Sequence, residues 1–215
     1  LRCIFQNNWA KYFGGAIYVY GGTLTVIDST ITGNVAERGY PAVLMTAVNA
    51  HYPAPSTFIN TTISGNASYY NAAVGYSQYA PMTLIHTTIA NNSTNGPLNE
   101  PSPGYGPFAV QYHSIIISGL DGLSPLQDNG GPTPTHAILP NSRYVGGDMD
   151  NCEPFDQRGV ARSDGGCDSG AYEASFPPAI DWVLATPSLE TGAGVNPNII
   201  TRVGITQFEV VFTEV

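Results

Sequence analysis

One short motif recurs along the first half of the chain: a small or polar residue, then Ile or Phe, then two residues, then Asn. It reads Cys3-Ile4-Phe5-Gln6-Asn7-Asn8, Ser29-Thr30-Ile31-Thr32-Gly33-Asn34, Thr61-Thr62-Ile63-Ser64-Gly65-Asn66 and Thr87-Thr88-Ile89-Ala90-Asn91-Asn92. A weaker copy without the Asn is His113-Ser114-Ile115-Ile116-Ile117, and successive copies start 26, 32, 26 and 26 residues apart. Two further apolar segments repeat in phase. One is Gly15–Tyr18, Pro41–Leu44, Ala72–Gly75 and Phe108–Gln111; the other is Gly22–Ile27, Ser56–Ile59 and Pro81–Ile85. Each repeat predicts about three short strands, rich in Thr, Ile and Val and bounded by Gly, Asn and Pro.

Three strands in ~26 residues make one coil of a solenoid, which buries its inner face only by stacking on its neighbours. The expected fold is all-β: a right-handed parallel β-helix, a loop-rich C-terminal cap and the start of a β-sandwich module. One inward stack is Phe5, Ile31, Ile63 and Ile89; another is Leu24, Phe58 and Leu84. Asn8, Asn34, Asn66 and Asn92 are expected at a bend, where Asn tolerates left-handed backbone and stacked amides bond along a ladder. The row reads as structural rather than ligand-binding. Coils two and four carry insertions, around Asn49–Pro55 and Asn95–Pro107. Such insertions map to loops, often on a binding face. Tyr-containing loops, with Tyr52, Tyr70 and Tyr105 and also Tyr69, Tyr76 and Tyr79, are candidate sugar or protein contacts, although Tyr is also common on β surfaces.

From about Leu123 the repeat gives way to Gln127-Asp128-Asn129-Gly130-Gly131-Pro132-Thr133, then Asp156-Gln157-Arg158-Gly159, then Cys167-Asp168-Ser169-Gly170-Ala171-Tyr172-Glu173. In order and spacing these stretches resemble the C-terminal signature of bacterial surface β-helix proteins. Those belong to the pectate-lyase-like superfamily, in the group with polymorphic outer-membrane-type repeats and a choice of C-terminal anchors. The resemblance covers residues 123–173; the run Asn141–Asp148 departs from the family pattern. It implies an extracellular or cell-surface location and no defined enzymatic activity. The segment is expected to cap the open end of the solenoid, with Arg158 buried against Asp156 or Glu173.

Charge narrows the function classes. Seven basic residues stand against 16 acidic ones, a net charge of −9, and Lys11 is the single lysine. No basic stripe is available for nucleic acid or for an anionic membrane. Charged residues make up 11% of the chain, against roughly 25% in ordinary domains, as suits an extracellular β protein. No apolar run reaches the ~18 residues of a membrane span and no signal peptide is visible. The opening Leu1–Phe5 reads like mid-strand sequence, which suggests a fragment or a processed product.

Catalytic chemistry finds little support. Glycoside hydrolysis needs two carboxylates roughly 5–10 Å apart. Residues 1–118 hold only Asp28, Glu37 and Glu100 as acids, and no two share a coil position. His86 and His113 fall on adjacent coils as a surface stack, and no Cys-x-x-Cys or paired His suggests zinc. Cys152 and Cys167 enclose 14 residues; in an oxidising compartment they would form a disulfide contributing about 3 kcal/mol. Cys3 reads as a buried free thiol. No cofactor is expected except calcium, for which Asp148, Asp150, Asp164 and Asp168 crowd into a Gly-rich region. The sequons at Asn60, Asn66, Asn91 and Asn92 are discounted because the resemblance is bacterial.

The expected plan is coils over 1–118, a cap or signature segment over 119–176, and a linker with the first strand of a further β module over 177–215. Ile205–Val215 reads as a lone strand. The first functional reading is a non-catalytic, secreted or cell-surface structural or adhesive protein, with cell-envelope, glycan or self-association partners. The alternatives are a polysaccharide lyase or hydrolase whose site lies in missing N-terminal coils, and a filament subunit assembled head-to-tail or by strand addition.

Overall fold

The structure is a computed structural model. It describes residues 2–69, 73–77, 79–94, 111–117, 119–140, 142–146, 150–162 and 166–175, and the backbone of 179–187 and 205–213. Leu1–Ala174 form one compact unit and Ser175–Val215 a second. No α-helix occurs among the described residues.

The first coil holds β1 (Ile4–Gln6), β2 (Trp9–Ala10), β3 (Ile17–Tyr20) and β4 (Leu24–Ile27). The second holds β5 (Thr30–Thr32), β6 (Val35–Ala36), β7 (Val43–Thr46) and β8 (Ser56–Ile59). The third holds β9 (Thr62–Ser64), β10 (Ala67–Ser68), β11 (Val74–Tyr76) and β12 (Met82–Ile85). Then come β13 (Thr88–Ala90), β14 (Ser93–Thr94), β15 (Gln111–Tyr112) and β16 (Ile115–Ile117). Equivalent strands pair in parallel, giving four sheets ordered β1-β5-β9-β13-β16, β2-β6-β10-β14, β3-β7-β11 and β4-β8-β12-β15. The architecture is all-β with stacked parallel strands.

Four strands per coil, not three, follow from the Asn motif. A two-residue strand fits between the motif and the next apolar segment, too short to show a pattern of its own. Register refines the core stacks. Ile31, Ile63 and Ile89 align and are fully buried, with Phe5 and Ile116 at the ends. Burying each such side chain contributes roughly 2 kcal/mol. Phe58 lies beside Leu84 on one side and Val26 on the other; Leu24 pairs with Ser56 instead. Gln111 belongs beside Leu84 in the last sheet, not in the sheet of β3.

The bend is also one residue away from its expected place. Asn7, Gly33, Gly65 and Asn91, each just before a ladder asparagine, carry the positive φ values of 56, 64, 62 and 51°. Asn and Gly are the residues that tolerate this region. The ladder asparagines themselves are freed to point inward.

The described residues between 119 and 175 lie along the side of the stack, where an end cap was expected. They carry an antiparallel pair, β17 (Leu123–Gln127) with β18 (Thr135–Ile138), followed by turns. The outward positions of β5, β9 and β13 are Thr30, Thr32, Thr62, Ser64, Thr88 and Ala90, and all six are buried. A strand covered on both faces has no solvent side to make polar with charges; hydroxyls serve here because the flank segment bonds to Thr30, Thr62, Ser64 and Thr88.

In the second unit the described residues form a hairpin. β19 (Ala179–Pro187) pairs antiparallel with β20 (Ile205–Thr213). The terminal strand is therefore paired within the chain rather than alone.

Candidate functional site

Two ladders of polar side chains run along the stack. The amide Nδ2 of Asn8, Asn34 and Asn66 each donates to Oδ1 of the next asparagine, ending at Asn92, all at 2.9 Å. The same Oδ1 atoms accept the backbone N–H of Asn8, Asn34 and Asn66 at 3.0, 3.0 and 2.9 Å. Nδ2 of Asn34, Asn66 and Asn92 also donates to the carbonyls of Phe5, Ile31 and Ile63. The second ladder was not anticipated. Ser29 and Ser114 accept the backbone N–H of Cys3 and Thr87 at 3.1 and 3.0 Å. Cys3 occupies the first place in this hydroxyl row; it is a free thiol and only half-buried, not enclosed.

Just before the hydroxyl row stand Asp28, Asn60, His86 and His113, one per coil, with φ of 45, 46, 42 and 45°. Their left-handed backbone turns the side chains outward, those of Asp28, Asn60 and His86 onto the flank segment. Asn60 donates to Cys167 Sγ at 3.0 Å and its Oδ1 accepts Glu153 N–H. His86 Nε2 donates to the Asp150 carbonyl at 3.0 Å, and its ring stacks on His113 with centroids 5.3 Å apart. The His pair is thus formed, but His86 is fully buried rather than on the surface.

Further along the seam, Thr30 donates to Gln157 and Ala171 N–H to Thr62 Oγ1. Thr88 donates to the Ser169 carbonyl, and Ser169 to that of His113. His136 Nδ1 bonds the Ser124 carbonyl at 2.8 Å and its Nε2 meets Ser64 Oγ at 2.7 Å. A carbonyl can only accept, so Nδ1 carries the proton, and burial pushes the ring's pKa down. The fit is close at Gly170. Its φ is +108°, and a Cβ there would stand 2.7 Å from Thr62 Oγ1.

A buried ionic cluster closes the seam. Arg162, 3% exposed, bonds Glu173 Oε2 at 2.5 Å and the carbonyls of Asp168 and Gly170 at 3.2 and 2.9 Å. Its other partner is Asp28, at 3.6 Å. Beside it, Asp156 holds Arg158 at 2.6 Å and accepts the N–H groups of Arg158, Val160 and Glu173. The Arg158 guanidinium lies 3.6 Å from the centre of the Tyr172 ring. Arg158 therefore meets Asp156 as an ion pair, whereas Glu173 offers it only a backbone carbonyl; the Glu173 carboxylate goes to Arg162. Arg162 was missed because nothing in its local sequence marks it.

Asp28 has the weakest compensation in this cluster. Burial pushes its carboxyl up to about 6 from 3.8, opposed by Arg162 at 3.6 Å and, more distantly, Arg2 at 3.8 Å. The folded state binds a proton that the unfolded chain releases. Stability from this group is therefore lost above the folded pKa and regained as pH falls from about 6 toward 3.8. Asp28→Asn, which copies Asn60 at the same coil position, is expected to stabilise the protein by up to about 2–3 kcal/mol at pH 7.5. The gain over wild type is expected to vanish near pH 4. Paired urea titrations across that range check it; a constant difference would show that Asp28 titrates normally.

The remaining sequence candidates disperse. Cys152 and Cys167 are joined, with Cα atoms 5.8 Å apart. Asp148, Asp164, Tyr70 and Tyr105 lie outside the described residues. Of the other calcium candidates, Asp150 is exposed, while Asp168 is spent on the N–H groups of Gly146 and Ala174 at 2.7 and 2.6 Å. Among the described residues no three His, Cys, Asp or Glu side chains group to hold a metal ion. Tyr52 is exposed on its loop, whereas Tyr76 is buried in the core.

The solvent-facing feature that sequence reading passed over is aromatic. Trp9, Tyr12, Phe13, Tyr18 and Tyr20 are all exposed on the first coil. Phe13 stacks on Tyr18 at 5.1 Å, Tyr12 lies 6.4 Å from Phe13, and Lys11 sits over Tyr12. Alternation along β3 turns Ile17 and Val19 inward and Tyr18 and Tyr20 outward. Residues 2–20 match the model of the Chlamydia polymorphic membrane protein repeat. This is a repeat of surface-exposed, outer-membrane-type proteins. The match spans β1 to β3, including Asn8 and the aromatic cluster. No curated protein and no solved structure matches the chain.

Proposed function

We propose that the chain is part of a non-catalytic, surface-exposed right-handed parallel β-helix protein whose role is adhesion. The observation that carries this reading is the exposed aromatic cluster of the first coil. Five large rings within 12 residues are costly to leave in water and mark an interaction surface. The repeat match over the same residues supports a surface location. The state of the buried acids supports a structural rather than a catalytic role. Asp28, Asp156, Asp168 and Glu173 are at most 4% exposed, and each is engaged by arginine or backbone N–H groups. Asp28 has the raised pKa of a general acid, but a substrate cannot reach it.

Beads coated with the full chain are expected to bind cultured cells above bare beads. Tyr18→Ser with Tyr20→Ser should lower that binding at least tenfold without unfolding, because both rings point away from the core. Equal binding of coated and bare beads would overturn the adhesive reading. Release of reducing ends from a panel of polysaccharides would restore the enzymatic one.

A further inference from the structure

The sheet β2-β6-β10-β14 carries a shallow trough beside the aromatic cluster. Parallel register aligns Trp9, Val35, Ala67 and Ser93 in one outward row. The next residues, Ala36 and Ser68, turn inward and are buried. At a strand spacing of ~4.8 Å, the row runs roughly 14 Å from Trp9 to Ser93. Val35, Ala67, Ser68, Tyr69 and Ser93 line a cavity of about 340 Å³, within the ~300–1,000 Å³ of small-molecule sites. Trp9 is 64% exposed at one end of the row and Tyr69 64% exposed at its wall.

The lining chemistry restricts the occupant. The floor is a methyl and an isopropyl group, the wall is a phenol ring, and Ser93 adds an exposed hydroxyl. Among the described residues, no carboxylate, ammonium or guanidinium lines the trough, although the chain carries a net charge of −9. It is a neutral window in an acidic surface, so a charged ligand would gain nothing there. A peptide adding as a strand would pair at the sheet's edges, β2 and β14, and not over the trough floor, since β6 and β10 are paired on both sides. Pyranose rings have apolar faces that stack on aromatic side chains and hydroxyl edges that bond to serine. Trp9 and Tyr69 arise from coils two apart, so a ligand touching both must extend along the stack.

We propose that this trough binds a neutral oligosaccharide lying along the coil axis, with sugar rings stacked on Trp9 and Tyr69 over the Val35–Ala67 floor. The inference rests on the adhesive reading and names its ligand. Cellohexaose, maltohexaose and chitohexaose are titrated into the full chain by calorimetry. Trp9 fluorescence is followed in parallel in a Trp182→Phe background. At least one hexasaccharide is expected to bind and to change Trp9 emission. Trp9→Ala and Tyr69→Ala should each weaken binding at least tenfold, while Tyr112→Ala on another sheet stays within twofold. Affinity should change less than twofold between 0.05 and 0.5 M salt, because no ion pair forms.

No binding of any of the three at millimolar concentration would overturn the proposal, as would binding indifferent to Trp9→Ala and Tyr69→Ala. Cell adhesion that persists in the Trp9→Ala, Tyr69→Ala double variant would sink the trough and leave the adhesive reading standing. Loss of adhesion in that variant, with no sugar bound, would show that the trough takes a protein surface and overturn the ligand class.

Discussion

Arg162→Met is expected to destabilise the first unit by about 3–5 kcal/mol and to release the flank segment to proteolysis. The cation is enclosed between Glu173 and Asp28, which are 1% and 4% exposed. It also donates to the carbonyls of Asp168 and Gly170. Methionine fills much of the volume but removes the cation that Glu173 meets and leaves Asp28 with the more distant, part-exposed Arg2 at 3.8 Å. Breaking a buried pair by removing one partner costs about this much, because the other charge stays desolvated. Removing the whole set is a different experiment. Arg162→Met with Glu173→Leu and Asp28→Asn should recover most of the loss, since well-packed apolar or neutral groups often replace a buried ion pair without penalty. Urea unfolding and limited proteolysis between residues 119 and 175 measure both. A single variant within 1 kcal/mol of wild type would show that the cluster does not hold the seam.

The contrast between stack and seam explains what the sequence could show. Ile31, Ile63 and Ile89 recur at near-constant spacing because each coil must place the same shape over the last one. A period is legible without coordinates, and so are the asparagines that follow it. Register within a sheet is less so. Val26 and Leu24 are both apolar two residues apart on one strand, and only the pairing with Phe58 chooses between them. The seam is less legible again. Asp28, Asn60, His86 and His113 occupy one structural position with three side-chain types, and Asp28, Asn60 and His86 each meet a different part of the flank segment. Their common feature is backbone conformation, which residue type hardly betrays outside Asn and Asp. A usable signal was present in the outward hydroxyls of Thr30, Thr62 and Thr88, since a solvent-facing strand would carry charges there. The aromatic cluster was visible as letters, but its exposure depended on the alternation of β3 and on which turn carried Tyr12 and Phe13.

Asn66→Ala is expected to cost about 3–5 kcal/mol, and the losses along the ladder should rank by position rather than by residue type. Asn66 is a fully buried middle member. Its Oδ1 accepts both the backbone N–H and the side-chain amide of Asn34. Its Nδ2 donates to Asn92 Oδ1 and to the carbonyls of Ile31 and Ser64. Alanine takes the acceptor from two buried donors of Asn34, its backbone N–H and one amide hydrogen, each costing about 1–3 kcal/mol. Asn8 is exposed and acts as a donor only, so Asn8→Ala should cost less than about 1 kcal/mol. Asn66→Asp tests polarity. It keeps the acceptor that Asn34 needs but turns an oxygen toward Asn92 Oδ1 and the Ile31 carbonyl, with a buried charge added. It should therefore be at least as damaging as alanine despite its matching shape. Denaturation midpoints of the three variants decide the matter. A ladder that served ligand binding would lose binding in all three at unchanged stability; a ladder that holds the coils together loses stability in the order Asn8, then Asn66 to Ala, then Asn66 to Asp.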